Sequence, residues 1–149
     1  MPEIRTIIAD TSVLIAFEKL GRLHLLCRVY EEILLPPAVR NEYSSDSQPC
    51  FIYAQAPHGL STLLETEIGM GRGESEAIAL AFTSNVPILI DDLKARKTAR
   101  TLGCQISGTI GVLVKMEHLG LILSAYGETQ RLISMGFRVS EKILHKLKS

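Results

Sequence analysis

The sequence predicts an α/β domain in which helices flank a doubly wound, mostly parallel sheet. Short runs of β-branched and apolar residues alternate with amphipathic helical segments, the pattern of a parallel sheet with crossover helices. Hydrophobic residues make up 46% of the chain and there is no Trp, so we expect an aliphatic core covered on both faces. Two of the predicted strands end directly at aspartates, Asp10 and Asp91. Ligands bind at that edge of such sheets.

The first half of the chain predicts two strands, each followed by a helix. Asp10 and the two hydroxyl residues after it are suitable N-cap residues for the first helix, and Gly21 is suited to end it. Pro36 and Pro37 suit the first turn of a later helix that includes Glu42. The predicted elements are a strand at 4–9, a helix running to 20, an amphipathic segment at 23–30, a strand at 32–35, a helix from 37 and a polar loop at 44–50. We predict no helix or strand between residue 51 and about residue 66.

The second half begins with a glycine-broken turn at 69–73 and then becomes strongly helical from Glu74, with small and apolar residues on one face. The run 86–90 is apolar throughout, which predicts a strand buried on both faces. A basic amphipathic helix follows and ends at Gly103. The remaining predicted elements are a short strand at 105–107, a helix from the turn at 108–109 to about 118, and helices near 124–135 and 140–148.

The length of 149 residues fits one domain spanning 1–149. The three cysteines are far apart and show no CxxC spacing, which predicts reduced thiols rather than a disulfide framework or a zinc site. No apolar run approaches the about 18 residues that a membrane span needs, and charged residues interrupt the N-terminal stretch before a signal peptide could form. We therefore expect a cytoplasmic protein with no membrane association.

Acidic residues follow the predicted strands and open the helices next to them. Asp10 ends the first strand, Glu42 lies on the helix after the second, Glu74 opens a helix, and Asp91 and Asp92 end a later strand. Clustered carboxylates repel one another unless a cation neutralises them. Hard oxygen ligands suit Mg²⁺ or Mn²⁺, which can make a water nucleophilic in phosphodiester hydrolysis.

Each acid also has an ordinary structural interpretation. Asp10 and Asp92 could be helix N-caps, Glu74 could complement a helix dipole, and Glu42 could be a solvated helix residue. Taken singly, these interpretations are at least as good as the metal interpretation. The placement of the acids after the predicted strands favours a shared site.

Four sequence segments, in this order, resemble the PIN-domain family, the fold of the VapC-like toxin ribonucleases of prokaryotic toxin–antitoxin pairs. The segments are IIADTSVLI at 7–15, PPAVRNE at 36–42, GRGESEAIALA at 71–81 and ILIDDLKAR at 88–96. GTIGVL at 108–113 and GFRVS at 136–140 are similar to one prokaryotic branch of the family. The resemblance covers nearly the whole chain.

The resemblance implies a metal-dependent endoribonuclease with an acidic site. It assigns catalytic roles to four acids, Asp10, Glu42, Glu74 and Asp92. It implies that Mg²⁺ or Mn²⁺ is held by Asp10, Glu74, Asp91 and Asp92, with Ser12 beside Asp10. Its spacing favours Asp92 over Asp91 as a direct ligand, although the residues themselves leave that choice open. Glu74 matches the family pattern better than Glu76, because small residues follow it at the expected spacing.

Basic residues on the helix after the last acids provide a weaker substrate-binding prediction. Lys94, Arg96 and Arg100 could contact RNA phosphates, or they could belong to a solvated helix face. The glycine motifs match neither a dinucleotide fingerprint nor a P-loop, so no nucleotide cofactor is expected. The resemblance implies a small antitoxin partner and a homodimer. The alternative to an enzyme is a PIN fold that binds RNA or protein with its metal site lapsed.

Overall fold

Five parallel strands form one sheet in the part of the chain that the computed structural model describes, residues 5–43 and 47–148. The strand order is β3-β2-β1-β4-β5. The strands are β1 (Thr6–Ala9), β2 (Glu32–Leu35), β3 (Phe51–Tyr53), β4 (Ile88–Leu89) and β5 (Ile106–Ser107). The chain winds outward from β1 to one edge and then returns to place β4 on the other side of β1. The predicted class is confirmed, and the winding direction switches between β1 and β4.

Helices connect all the strands. In order they are α1 (Thr11–Lys19), α2 (Leu26–Val29), α3 (Pro37–Glu42), α4 (His58–Leu63), α5 (Arg72–Ser84), α6 (Leu93–Thr101), α7 (Thr109–His118), α8 (Ala125–Ser134) and α9 (Glu141–Lys148). A 3₁₀ turn at Leu23–Leu25 precedes α2, and a π-helical turn at Leu64–Ile68 follows α4. No described helix is long and apolar enough to cross a membrane.

Alternate residues of the central strand enter two separate cores, one on each face of the sheet. Ile7 and Ala9 of β1 lie in the larger core, with residues of α1, α2, α7 and α8. Ile8 lies in the smaller core, with residues of α5 and α6. Successive side chains of a strand point to opposite faces, so a strand covered on both sides must be apolar throughout. This explains the uninterrupted hydrophobic run that precedes Asp10.

Strand boundaries differ from the prediction most clearly at β4 and β3. β4 is shorter than the predicted 86–90, but the Ile90 N–H still donates to the Ser107 carbonyl at 2.8 Å, so the ladder continues past the strand. β3 and α4 occupy a stretch in which no element was predicted. Residue 4 of the first predicted strand and residues 44–46 of the predicted loop lie outside the described residues.

The prediction of three reduced cysteines was wrong. Cys27 and Cys50 form a disulfide with a Cα–Cα distance of 5.6 Å, and Cys104 is free. The two bonded residues are 23 positions apart, and only the fold brings α2 beside the residue that precedes β3. Parallel pairing of β2 with β3 creates this proximity, which cysteine spacing alone does not reveal.

Candidate active site

The acids predicted from the sequence line one crevice at the carboxyl edge of the sheet. Its volume is about 530 Å³, and it lies where β1 and β4 are neighbours, at the point where the winding direction switches. The lining acids are Asp10, Glu42, Glu74, Asp91 and Asp92. The other lining residues are Thr11, Ser12, Ile15, Gly71, Gly73, Phe137 and Arg138. The predicted placement of the acids is confirmed, while their chemical roles stay predictions.

Asp10 is the buried centre of this cluster. Its position directly after β1 leaves only 3% of the residue exposed, and burial raises the pKa of its carboxyl to about 7. The negative charges of Glu74 and, more weakly, Glu42 raise this pKa further, whereas bonds from the Thr11 backbone and the Ser12 hydroxyl lower it. The Ser12 Oγ–H donates to Asp10 Oδ2 at 3.2 Å. Asp10 occupies the N-cap position of α1 without a side-chain cap bond, so its carboxylate is not engaged as a helix cap.

Glu74 lies in the first turn of α5 and faces Asp10 across the crevice. Burial raises the pKa of its carboxyl, and the negative charges of Asp92 and Glu42 act in the same direction. A backbone bond from Gly71 and the positive charge of Lys94 oppose that rise. The acids of the cluster therefore resist simultaneous ionisation unless a cation joins them.

Glu42, at the end of α3, reaches the crevice because Gly73 has no side chain. A Cβ atom at position 73 would overlap the Glu42 carboxylate. Burial raises the pKa of Glu42, and the charge of Glu76 adds to the effect. The Thr11 hydroxyl lies close enough to lower this pKa, although its contact with Glu42 does not meet hydrogen-bond geometry. Among the described residues, the buried Thr11 Oγ1 therefore has no hydrogen-bond partner.

Asp92 caps α6, whereas Asp91 bonds to the first residue of α7, and the two differ in how many carboxylate oxygens these bonds occupy. Asp92 Oδ2 accepts from the Ala95 N–H at 2.9 Å, which caps α6, while Oδ1 accepts no hydrogen bond from the residues that the structure describes. Asp91 Oδ1 accepts from the Thr109 N–H at 2.8 Å and Oδ2 accepts from the Thr109 hydroxyl at 2.6 Å. Both Asp91 oxygens are thus engaged at the start of α7. The arrangement leaves Asp92 freer to bind a ligand.

The basic residues predicted to contact substrate have different environments. Arg96 Nη1 donates to the Ile90 carbonyl at 2.9 Å and so stabilises the loop that holds the two aspartates. Lys94 acts on Glu74 electrostatically but does not line the crevice, and Arg100 is exposed elsewhere on α6. Among the described residues, the cation that lines the crevice is Arg138, which sequence analysis did not single out. It belongs to the predicted GFRVS segment, and its place in that motif was the available signal.

Glu76 has a structural role, as its helical offset from Glu74 indicates. Its Oε1 accepts from the Ala38 N–H at 2.8 Å at the start of α3. Glu76 does not line the crevice. The choice of Glu74 over Glu76 as the site residue is therefore consistent with the geometry.

The donors at this crevice fit a hydrated divalent ion better than a closed protein cage. Within 5–43 and 47–148, no group of three or more Asp, Glu, His or Cys side chains is arranged to hold a metal ion. Mg²⁺ uses one or two carboxylates and keeps several waters, so a partial set of oxygens is what it needs. The buried Thr11 hydroxyl lines the crevice and has no partner within 5–43 and 47–148, so it offers a further oxygen. Asp10, together with either Glu74 or Asp92, is best placed to supply those one or two carboxylates.

Comparison with known proteins assigns the family. The family model described as a PIN domain, DUF3368, matches residues 6–149. A search of curated proteins finds no match to the chain. PIN domains are generally nucleases, and the model match covers all the crevice acids. The chain therefore belongs to the PIN domain family.

Proposed function

We propose that this protein is a divalent-metal-dependent endoribonuclease that cleaves RNA phosphodiester bonds at the acidic crevice. The observation that supports it is the buried Asp10, whose pKa is raised to about 7 by burial and by neighbouring acids. Ionised carboxylates that are buried close together repel one another, and a divalent ion that neutralises them removes this cost. Family membership supplies the nuclease class. RNA as the substrate and Mg²⁺ or Mn²⁺ as the ion are parts of our proposal.

In this proposal each acid has a defined task. Asp10 would hold the ion together with Glu74 or Asp92, and Ser12 orients Asp10 through its bond to Oδ2. When bound, the ion activates water and stabilises the charge that develops on the phosphodiester oxygens. Glu42, with its raised pKa, is suited to accept a proton from the attacking water.

Two further residues of the crevice complete the proposal. Asp91 acts through the loop, because Thr109 engages both of its oxygens. Arg138 lines the crevice and is suited to contact a substrate phosphate.

The test combines metal binding with cleavage. Calorimetric titration with Mg²⁺ and Mn²⁺ should show binding that Asp10→Asn removes, and the wild-type protein should cut RNA in a chelator-sensitive reaction. Glu67→Gln, a change at an exposed acid outside the crevice, is the matched control. Undiminished RNA cleavage in excess chelator would contradict metal dependence. Metal binding or RNA binding without cleavage would favour the alternative of a lapsed, non-enzymatic PIN module.

We also propose that the protein is the toxin of a toxin–antitoxin pair. Sequence resemblance supports this, and the acidic crevice would attract a basic side chain from a small antitoxin. Co-expression with a small reading frame from the neighbouring gene should give a stable complex in which RNA cleavage is suppressed. Failure of any neighbouring product to bind or inhibit would refute the toxin assignment and leave the nuclease assignment intact.

A homodimer is the proposed assembly. Large apolar side chains are exposed on and around α7, α8 and α9, and pairing of two copies would cover them. These side chains are Val114, Leu119, Leu123, Ile133, Met135 and Ile143. Light scattering coupled to size exclusion should give twice the 16.4 kDa mass of the chain. A monomeric mass at micromolar concentration would contradict the proposal.

A further inference from the structure

A second recess lies on the same sheet edge as the acidic crevice. We call it the Tyr53 recess; it has a volume of about 160 Å³ and is lined by Pro37, Arg40, Asn41, Tyr53, Ala54 and Gln55. Tyr53 is the last residue of β3 and pairs in register with Leu35, the last residue of β2. Because the strands are parallel, Tyr53 lies at the carboxyl edge, as Asp10 does.

Helix α3 joins this recess to the crevice. Arg40 and Asn41 line the recess, and the next residue, Glu42, lines the crevice. The two sites are therefore separated by about the width of one helix, on the order of 10 Å. A strand of nucleic acid whose phosphate lies in the crevice can place a base in the recess a few nucleotides away.

The side chains of the recess match the requirements of an unpaired nucleobase. The Arg40 guanidinium lies 4.1 Å from the centroid of the Tyr53 ring, and 47% of Tyr53 remains exposed. Aromatic rings and guanidinium planes both stack on bases, and the amides of Asn41 and Gln55 can bond to base edges. Bases within a duplex are already stacked and paired, so they are not available to such a recess.

We infer that the Tyr53 recess is a nucleobase-stacking subsite that directs single-stranded RNA into the crevice. This inference rests on the proposed nuclease function and deepens it by placing a base-binding contact at Tyr53 and Arg40, beside the crevice. Tyr53 and Arg40 act in binding and position, not in bond cleavage. The subsite predicts that unpaired RNA binds more tightly than duplex RNA of the same length.

Binding is measured by anisotropy in an Asp10→Asn background, so that bound RNA is not cut. The probe is a labelled oligouridylate of about ten nucleotides, with a hairpin duplex and a single-stranded DNA as comparison arms. Tyr53→Leu should weaken oligouridylate binding about tenfold, the loss of one stacking contact. Tyr53→Phe keeps the ring and should retain wild-type affinity, whereas Arg40→Gln should weaken binding and reduce its salt dependence. Equal binding of the single-stranded DNA would also support the subsite, because base stacking does not depend on the sugar.

A fluorescence reporter provides an independent reading because the chain contains no Trp. Tyr53→Trp puts the only indole in the recess, and its emission should change when oligouridylate is added but not when the hairpin duplex is added. Phe82→Trp is the matched control, since Phe82 is 50% exposed and lines a separate cleft beside residues 85–87, at the opposite edge of the sheet. Its emission should not respond.

The outcomes separate the subsite from the nuclease proposal. If wild-type protein cleaves RNA and Tyr53→Leu binds and cleaves oligouridylate as well as wild type, the subsite is wrong and the nuclease proposal stands. If neither single-stranded nor duplex RNA binds to folded protein in any metal, both proposals fail. A duplex preference that Tyr53→Leu does not alter also overturns the subsite.

Discussion

Replacing Asp10 by Asn should stabilise the metal-free protein at neutral and alkaline pH, even though it removes a site residue. Burial and the neighbouring acids raise the pKa of Asp10 from 3.8 to about 7 in the folded state. Each pKa unit corresponds to about 1.36 kcal/mol, so ionised Asp10 disfavours folding by up to about 4 kcal/mol. Asn keeps the size and the hydrogen-bonding capacity of the side chain and has no charge to bury.

The sign of the effect sets its pH window. A carboxyl whose folded pKa is raised favours folding fully below its unfolded pKa, and this contribution is lost as pH rises through the folded pKa. Wild-type stability without metal should therefore fall between about pH 4 and pH 7 and then level off. Glu42 and Glu74 also have raised pKa values, so they steepen the loss of stability with rising pH in both wild type and Asp10→Asn. The difference between wild type and Asp10→Asn isolates the Asp10 contribution.

Thermal unfolding in chelator at several pH values measures this difference. For a chain of this size each kcal/mol shifts Tm by about 2–4 °C, so Asp10→Asn should melt several degrees above wild type at pH 8 and close to it at pH 4. Mn²⁺ should raise the Tm of wild type and leave the variant unchanged. Glu67→Gln should match wild type throughout. A Tm difference that is the same at pH 4 and pH 8, or absent at both, would refute the argument that Asp10 is buried at an electrostatic cost.

Three further predictions follow from neighbouring contacts. Asp92→Asn should damage metal-dependent cleavage more than Asp91→Asn, because Asp92 has an oxygen free of cap bonds; the opposite order at saturating Mn²⁺ on folded protein would contradict this. Gly73→Ala should reduce cleavage without loss of stability, since its Cβ displaces only the flexible end of Glu42, and Gly59→Ala in open helical space is the control. Glu128→Gln should lower the free energy of unfolding in urea by about 1–2 kcal/mol at neutral pH and by less at acidic pH. Burial raises the pKa of the Glu128 carboxyl, but the bonds and charges of two arginines outweigh burial and lower it, so the stabilisation is lost as pH falls. An equal loss at both pH values would argue against an ionic origin.

Most of the architecture could be predicted because its signals are local. The apolar run before Asp10, the proline pair that starts α3 and the glycines that follow α1 and α6 each determine one element boundary. The alternation of strands and helices then predicts a parallel sheet, and the sheet predicts that residues after β1 and β4 meet. The grouping of Asp10 with Asp92 follows from that reasoning.

The features that sequence analysis missed depend on contacts between distant segments. Cys27 and Cys50 approach each other only because β3 pairs with β2. Arg138 reaches the crevice from the turn between α8 and α9, beside Phe137, which packs against the larger core. Tyr53 lies in a three-residue edge strand too short to produce a periodic signal. Charge and composition do not indicate which surface such residues will share.

An aspartate after a strand has two interpretations, helix cap and site residue, and this protein shows how geometry separates them. Asp91 accepts from the first N–H of α7 with one oxygen and from the Thr109 hydroxyl with the other, so structural bonds account for its whole carboxylate. Asp92 caps α6 with one carboxylate oxygen, so the cap accounts for only one of its two oxygens. Asp10 occupies a cap position but makes no cap bond, although it is almost fully buried among other acids. Capping bonds stabilise the charged form of a carboxylate, whereas burial among like charges destabilises it. Asp10, whose position no cap bond accounts for, is thus the acid whose burial a bound cation would best explain.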